Sequence, residues 1–281
     1  MPAHDAAAPL VVAYAPRERT RVWAKRLMGK RPGRLALART PSEFSAPFRR
    51  ELVDAALVDV AAANGSDEAA ALALEYPSVA FVALTSFRPS DAPAVARCAE
   101  LEFADLLVEG VDDGVAREVL ASRGYSGRFA AALDHPPEGL ALGSALHLAA
   151  WRFILARGGR PIRTSTLAAS LGLTREHLSR SFGTGGAPTL KRLIDLVRLL
   201  SASELTKNPG YDVADVARVL GFSSSAHLSL TAQRLIGRRA SSLAAMRGVD
   251  IVEGFIKKQK DGGLRPSRGR GSGATRQPGG R

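Results

Sequence analysis

The chain has 281 residues, enough for two domains of ordinary size, and 46% of the residues are hydrophobic, as in other globular proteins. The single cysteine, Cys98, excludes an internal disulfide, and no Cys/His cluster has the spacing of a metal site, so no cofactor is expected. The formal net charge of +12 favours a polyanionic partner, while the lack of a secretory signal or of a run of ~20 apolar residues favours a cytoplasmic protein without a membrane span.

Short apolar runs alternate with helical patterns in the first part of the chain, residues 1–121. Strands are predicted at 10–14, 35–38, 55–60, 79–84 and 104–108, and helices at 17–28, 67–76 and 92–100. Strands that alternate with helices indicate a parallel sheet covered on both faces, and hence an α/β domain.

The strand pattern ends after a segment rich in Gly and Pro, residues 122–139, which is predicted to be a linker. Helices are then predicted at 140–156, 166–170, 174–182, 190–205, 213–220 and 224–236, which makes residues 140–248 an all-α domain. Residues 249–281 lose apolar periodicity and contain several Gly and Arg residues, so they are predicted to form a disordered basic tail.

The segment 166–182 has the pattern of a helix-turn-helix unit, in which apolar residues lock two short helices together across a tight turn. Gly172 allows the turn, and Thr174 is a suitable N-cap for the second helix. The predicted inside residues are Leu167, Leu171, Leu173, Leu178 and Phe182. The outward residues would be Arg175, Glu176, Ser179 and Arg180.

The same pattern recurs further along the chain, with Gly221 in the place of Gly172. The predicted inside residues of this second unit are Val213, Val216, Ala217, Leu220 and Phe222. One such unit can be imitated by any helical hairpin with a Gly turn, but two units joined by an amphipathic helix at 190–205 form a specific signal. The sequence therefore predicts a double helix-turn-helix domain.

Charge follows the same division of the chain. Residues 1–120 hold 14 basic and 17 acidic residues, residues 121–249 hold 17 and 7, and residues 250–281 hold 8 and 3. A mildly acidic module joined to a basic one is typical of a sensor or interaction domain attached to a nucleic-acid-binding domain.

The stretch from Asp215 to Ser224, with Gly221 and Phe222 inside it and Gly237 after it, resembles the AraC/XylS family of bacterial regulators. Residues 178–182 and Arg198 also fit, and the resemblance covers roughly residues 140–246. It implies a seven-helix DNA-binding domain whose two recognition helices enter successive major grooves on one face of the duplex. Double-stranded DNA is the expected partner.

Position on the two recognition helices then selects candidate DNA contacts. They are Arg175, Glu176, Ser179 and Arg180 on the first helix, and Ser225, His227, Gln233 and Arg234 on the second. The alternative for each is a solvated helix face. The second unit departs from the family at Leu228, Leu230, Ala232 and Ala240, and Leu230 stands where the family has a DNA-contacting Arg. More phosphate contact is therefore expected there, through Arg234, Arg238 and Arg239.

The first domain resembles the response-regulator receiver, a flavodoxin-like fold. Asp59 stands where the phosphoryl acceptor would be, and Thr85 where the switch hydroxyl would be. The acidic pair that holds Mg²⁺ is missing after the first strand, and Glu109 replaces the expected Lys. We therefore expect a domain that is not phosphorylated and serves dimerisation, protein contact or ligand sensing. A vestigial acceptor and a simple helix-capping residue are both open for Asp59.

Three functions compete at this point. The first is a sequence-specific transcription regulator, with RNA polymerase and a second copy of the chain as further partners to test. The second is an enzyme on the α/β domain, which is not expected because residues 15–19 contain no phosphate-binding Gly loop and no catalytic set stands out. The third is a non-specific architectural DNA-binding protein, and a response regulator controlled by phosphorylation is a variant of the first.

Overall fold

Five parallel strands form the centre of the first half of the chain in the computed structural model, which describes residues 8–29, 33–183 and 186–263. The strands are β1 Leu10–Tyr14, β2 Arg34–Ala38, β3 Val53–Asp59, β4 Ala80–Thr85 and β5 Asp105–Val108. Their order in the sheet is β2-β1-β3-β4-β5, and every neighbouring pair is parallel. This is the order of flavodoxin-like sheets, and it confirms the predicted fold class.

Helices cover both faces of this sheet. They are α1 Glu18–Met28, α2 Pro41–Ser45, α3 Ser66–Glu75, α4 Ala92–Glu100 and α5 Ala116–Arg123, with a 3₁₀ turn at Ala46–Arg49 after α2. Successive side chains of a strand point to opposite faces, so Val11 packs in the cluster with α1 and α5 while Val12 packs in the cluster with α2 and α3. Because both faces are covered, all of β1 is buried.

The second half of the chain is helical. Its helices are α6 Tyr125–Ala132, α7 Ala145–Leu155, α8 Thr164–Ser170, α9 Arg175–Ser181, α10 Leu190–Leu205, α11 Val213–Val219, α12 Ser225–Ile236 and α13 Gly248–Gly263. None of the helices in the described part of the chain has the length and apolar character needed to cross a membrane.

The two halves share one hydrophobic core. The cluster that holds Val12 and Phe44 on the sheet also holds Leu199 and Leu228 of the helical half. An aromatic contact crosses the boundary, since the ring centroids of Tyr76 and Tyr211 are 4.9 Å apart. The helical half is therefore packed directly on the α2–α4 face of the sheet.

A buried ion pair fastens this interface. Arg160, in the loop before α8, pairs with Asp54 of β3, and each side chain is only 5% exposed. Arg160 also donates to the backbone oxygen of Leu52 at 2.7 Å and to Ser126 Oγ of α6 at 2.8 Å. The Asp54 carboxylate accepts the backbone N–H of Leu10 at 2.8 Å and that of Ser126 at 3.1 Å. The pair thus connects the sheet, α6 and the helical half.

The prediction of a linker at residues 122–139 is wrong for its first part, because α6 lies there. Tyr125 and Phe129, one turn apart on α6, are buried with their rings stacked at 5.8 Å. Gly127 does not mark a loop, since a Cβ added there would collide with the carbonyl oxygen of Ala121 in α5. Gly127 thus permits a close contact between two helices. From the sequence alone, a glycine with this role looks the same as a glycine in a flexible loop.

The disordered tail predicted for residues 249–281 is likewise wrong for its first part. Residues 248–263 form α13, which buries Ile251, Val252 and Phe255. The guanidinium of Arg192 on α10 lies 5.1 Å from the centroid of the Phe255 ring. Packing on α10 and α12 therefore orders a short apolar stripe, and residues 264–281 lie outside the described residues.

The buried pair predicts a large stability effect. Arg160→Ala leaves the Asp54 carboxylate buried without its partner, so the free energy of unfolding should fall by about 3–5 kcal/mol. The matched control is Arg152→Ala, which removes an exposed pair with Asp134 at 3.0 Å and should cost at most about 1 kcal/mol. Urea unfolding followed by tryptophan fluorescence measures both values. Equal losses in the two variants would contradict the assigned role of Arg160.

Candidate nucleic-acid interface

Two helix pairs, α8–α9 and α11–α12, have the same turn geometry. Gly172 and Gly221 both adopt a φ of 68°, in the left-handed region that favours glycine. In the first turn the N–H of Leu173 donates to the oxygen of Ala168 at 2.9 Å, and in the second Phe222 donates to Ala217 at 2.8 Å. The predicted repeat is therefore also a repeat in backbone geometry.

Each second helix of a pair begins at a side-chain cap. Thr174 Oγ1 accepts the N–H of His177 at 3.2 Å, and Ser224 Oγ accepts the N–H of His227 at 3.1 Å. These caps satisfy backbone donors that the first turn of a helix leaves unpaired. The N-cap prediction for Thr174 is confirmed, and Ser224 is its counterpart.

Most of the predicted inside residues are buried, while Leu171, Leu173 and Val213 are half-buried. Leu178 and Leu228 are both fully buried, and Phe182 and Ala232 are buried at the equivalent places one turn later. The faces away from the core are exposed. These faces carry all eight predicted contact residues, namely Arg175, Glu176, Ser179, Arg180, Ser225, His227, Gln233 and Arg234.

The guanidinium of Arg234 is already engaged by a carboxylate. It donates to Asp195 Oδ2 of α10 at 2.8 Å, although its side chain stays 56% exposed. Asp195 also pairs with Arg198 at 3.6 Å. Arg234 therefore fixes α12 against α10, and contact with a phosphate would require it to share or leave this carboxylate.

Arg198 clamps the second turn. Its guanidinium lies 3.9 Å from the centroid of the Phe222 ring and donates to the backbone oxygen of Leu220 at 3.0 Å. Burial lowers the pKa of Arg198 below its ordinary value, which Asp195 partly offsets. Arg198 fits the resemblance to the AraC/XylS family, and in the structure it holds the second turn in position.

His147 holds the end of the first recognition helix and was not singled out from the sequence. Its Nε2 lies 2.7 Å from the backbone oxygen of Ser181, and its ring centroid lies 4.6 Å from that of Phe182. The imidazole is mostly buried on α7. No local pattern distinguishes it from the other histidines, because its partner is 34 residues away.

The candidate acceptor of the first domain is already paired. Asp59 is fully buried, and Arg17 donates to both of its oxygens, with Nε 2.7 Å from Oδ2. This hydrogen bond raises the pKa of Arg17. In the first turn of α1, Arg19 pairs with Glu109 at 2.7 Å. Cations thus follow β1 and an anion follows β5, the reverse of the arrangement that a magnesium-dependent phosphoryl site requires.

Thr85 is also held within the domain, since its Oγ1 donates to Asp91 Oδ2 at 2.8 Å and accepts the N–H of Phe87 at 2.8 Å. No group of three or more His, Cys, Asp or Glu side chains within residues 8–29, 33–183 and 186–263 is placed to hold a metal ion. Asp59, Thr85 and Glu109 each contact another side chain of the same domain. Asp59 accepts hydrogen bonds from Arg17 rather than capping a helix.

Comparison with known proteins finds a family match within the helical half. Residues 167–246 match the family described as "Helix-turn-helix domain". Full-length FixJ from B. japonicum is similar in structure over 76% of this chain and 96% of its own, with 11% sequence identity and a TM-score of 0.36. None of the curated proteins compared matches the chain. The chain therefore contains a helix-turn-helix domain at residues 167–246, and the helix-turn-helix prediction is confirmed.

The two turn glycines predict unequal sensitivity to alanine. Gly172→Ala places a side chain in the left-handed region with nothing within 4 Å, so it should cost about 1–2 kcal/mol. Gly221→Ala has the same φ, but the new methyl group would also collide with Pro161, which adds about 1–3 kcal/mol. Urea unfolding of both variants measures the difference. A larger loss for Gly172→Ala would contradict the assigned contact with Pro161.

Proposed function

We propose that the protein is a sequence-specific transcription regulator that places α9 and α12 in successive major grooves on one face of DNA. The observation that carries this proposal is the duplication of turn geometry, caps and buried leucines in two units. Both recognition helices present an exposed face at their capped ends, which is the part of such a helix that approaches base edges.

The distance between the units supports the same proposal. α10 joins them and has 16 residues, so it is about 24 Å long. Successive major grooves on one face are roughly 34 Å apart, a span that α10 and the turns at its ends can bridge. Because both recognition helices belong to one chain, a monomer can bind an asymmetric site.

Charge supports contact with phosphates beside these base contacts. Residues 121–249 hold 17 basic and 7 acidic residues. Arg238 and Arg239 are exposed directly after the second recognition helix. Such contacts release counterions, so affinity should fall steeply with salt. We also propose that the protein acts in the cytoplasm and is not an enzyme. RNA polymerase and a second copy of the chain are its proposed protein partners.

Arg180 is the residue that should test base recognition. An arginine that pairs with guanine contributes about 1–3 kcal/mol of discrimination, so Arg180→Ala should relax the preference at one base pair by roughly 5- to 150-fold. Selection from genomic fragments first defines the site, and titration at ~150 mM salt should then favour it over scrambled DNA by ~10³-fold or more. Arg97→Ala, on α4 of the first domain, is the matched control and should leave the preference unchanged.

Two results would count against this proposal. If all fragments bind alike and affinity collapses with salt, the architectural hypothesis replaces it. If a site is found but Arg180→Ala weakens binding equally on every sequence, Arg180 contacts phosphate rather than a base.

We further propose that the first domain is not controlled by phosphorylation. The pairing of Arg17 with Asp59 supports this, because the acceptor carboxylate is buried and neutralised where a magnesium ion would be needed. Incubation with acetyl phosphate and Mg²⁺ should therefore give no phosphoryl adduct by intact mass spectrometry. An adduct that forms on the wild type and is lost in Asp59→Asn would instead favour the response-regulator alternative.

A further inference from the structure

The two recognition helices can be compared position by position within this one chain. The turn glycines are 49 residues apart, but the fully buried leucines Leu178 and Leu228 are 50 apart, so the second turn holds one extra residue. The caps Thr174 and Ser224 follow the same shift. Position 180 of α9 is therefore equivalent to position 230 of α12.

This alignment shows where the two exposed faces differ. The histidines His177 and His227 are equivalent, as are the serines Ser179 and Ser229. All three charged residues of the first face, by contrast, have uncharged counterparts. Arg175, Glu176 and Arg180 correspond to Ser225, Ala226 and Leu230.

Leu230 is the most unusual of these residues, because it is a large apolar residue that is 70% exposed on a mostly polar face. Ala226 lies one turn before it and Gln233 one turn after it, so the three form one stripe along α12. This apolar area is one leucine and one alanine, much smaller than the patches that mark contacts between proteins. Its size fits single methyl groups within a polar surface.

The major groove presents such methyl groups only at thymines, whose C5-methyl lies beside hydrogen-bonding edges. We propose that Leu230, supported by Ala226, contacts thymine methyl groups, so that the second unit selects A·T pairs. Gln233 on the same stripe has the amide that pairs with adenine. The first unit, with Arg175 and Arg180, selects G·C pairs instead. This inference rests on the proposed function and adds the base composition of the second half-site.

Replacement of thymine by deoxyuridine tests the contact, because it removes only the methyl group. In the half-site bound by α12, one or more such replacements should weaken wild-type binding about fourfold. Leu230→Ala should bind the thymine and deoxyuridine sites equally. Leu74→Ala, which shortens a leucine that is 62% exposed on α3, is the matched control and should keep the wild-type response.

A gain-of-function variant makes the test independent of weakened binding. Leu230→Arg introduces the residue type found at the equivalent position 180. The preferred base pair at the contacted position should therefore change from A·T to G·C in a repeated selection. Both variants alter an exposed side chain, and their unfolding curves should match that of the wild type.

The outcomes separate this inference from the proposed function. If no site is selected, the proposed function and the inference both fail. If a site is selected but deoxyuridine has no effect at any position, or Leu230→Ala remains as sensitive as the wild type, the inference alone is overturned. It is also overturned if Leu230→Ala instead lowers the mass of an assembly in sedimentation, because Leu230 would then contact protein.

Discussion

The ion pair between Arg160 and Asp54 is the constraint on which the rest of the structure depends. Each group is removed from water, and loss of either partner would leave the other as an uncompensated buried charge. The hydrogen bonds to Leu52 and Ser126 complete the polar contacts of the pair. The two halves therefore pack against each other through this pair and through a shared core.

This arrangement leaves the recognition helices exposed while it holds their supports. The sheet half contacts the second unit through α11, where Arg218 donates to the backbone oxygen of Arg49 at 2.9 Å, and through Tyr76 against Tyr211. Neither contact covers the exposed face of α9 or α12. The contacts between the two halves and the exposed faces of the proposed recognition helices thus lie on different helices.

Two ion pairs lie at the carboxyl ends of the strands in the first domain. Its strand order is that of flavodoxin-like sheets, but Arg17 pairs with Asp59 and Arg19 pairs with Glu109. Opposite charges at these positions attract each other, so they hold the loops together without a metal ion. These charged residues form internal contacts of the domain.

The sequence by itself determined the features that depend on neighbours in the chain. Short apolar runs that alternate with helical patterns predict the five strands. Gly172 and Gly221 predict the two turns, and Thr174 predicts the start of the helix that follows the first, because these signals act within a few residues. Only the tertiary structure decided the contacts between distant residues. The pair of Arg160 with Asp54, the engagement of Arg234 by Asp195 and the ordering of α13 all depend on burial against partners that no local pattern specifies.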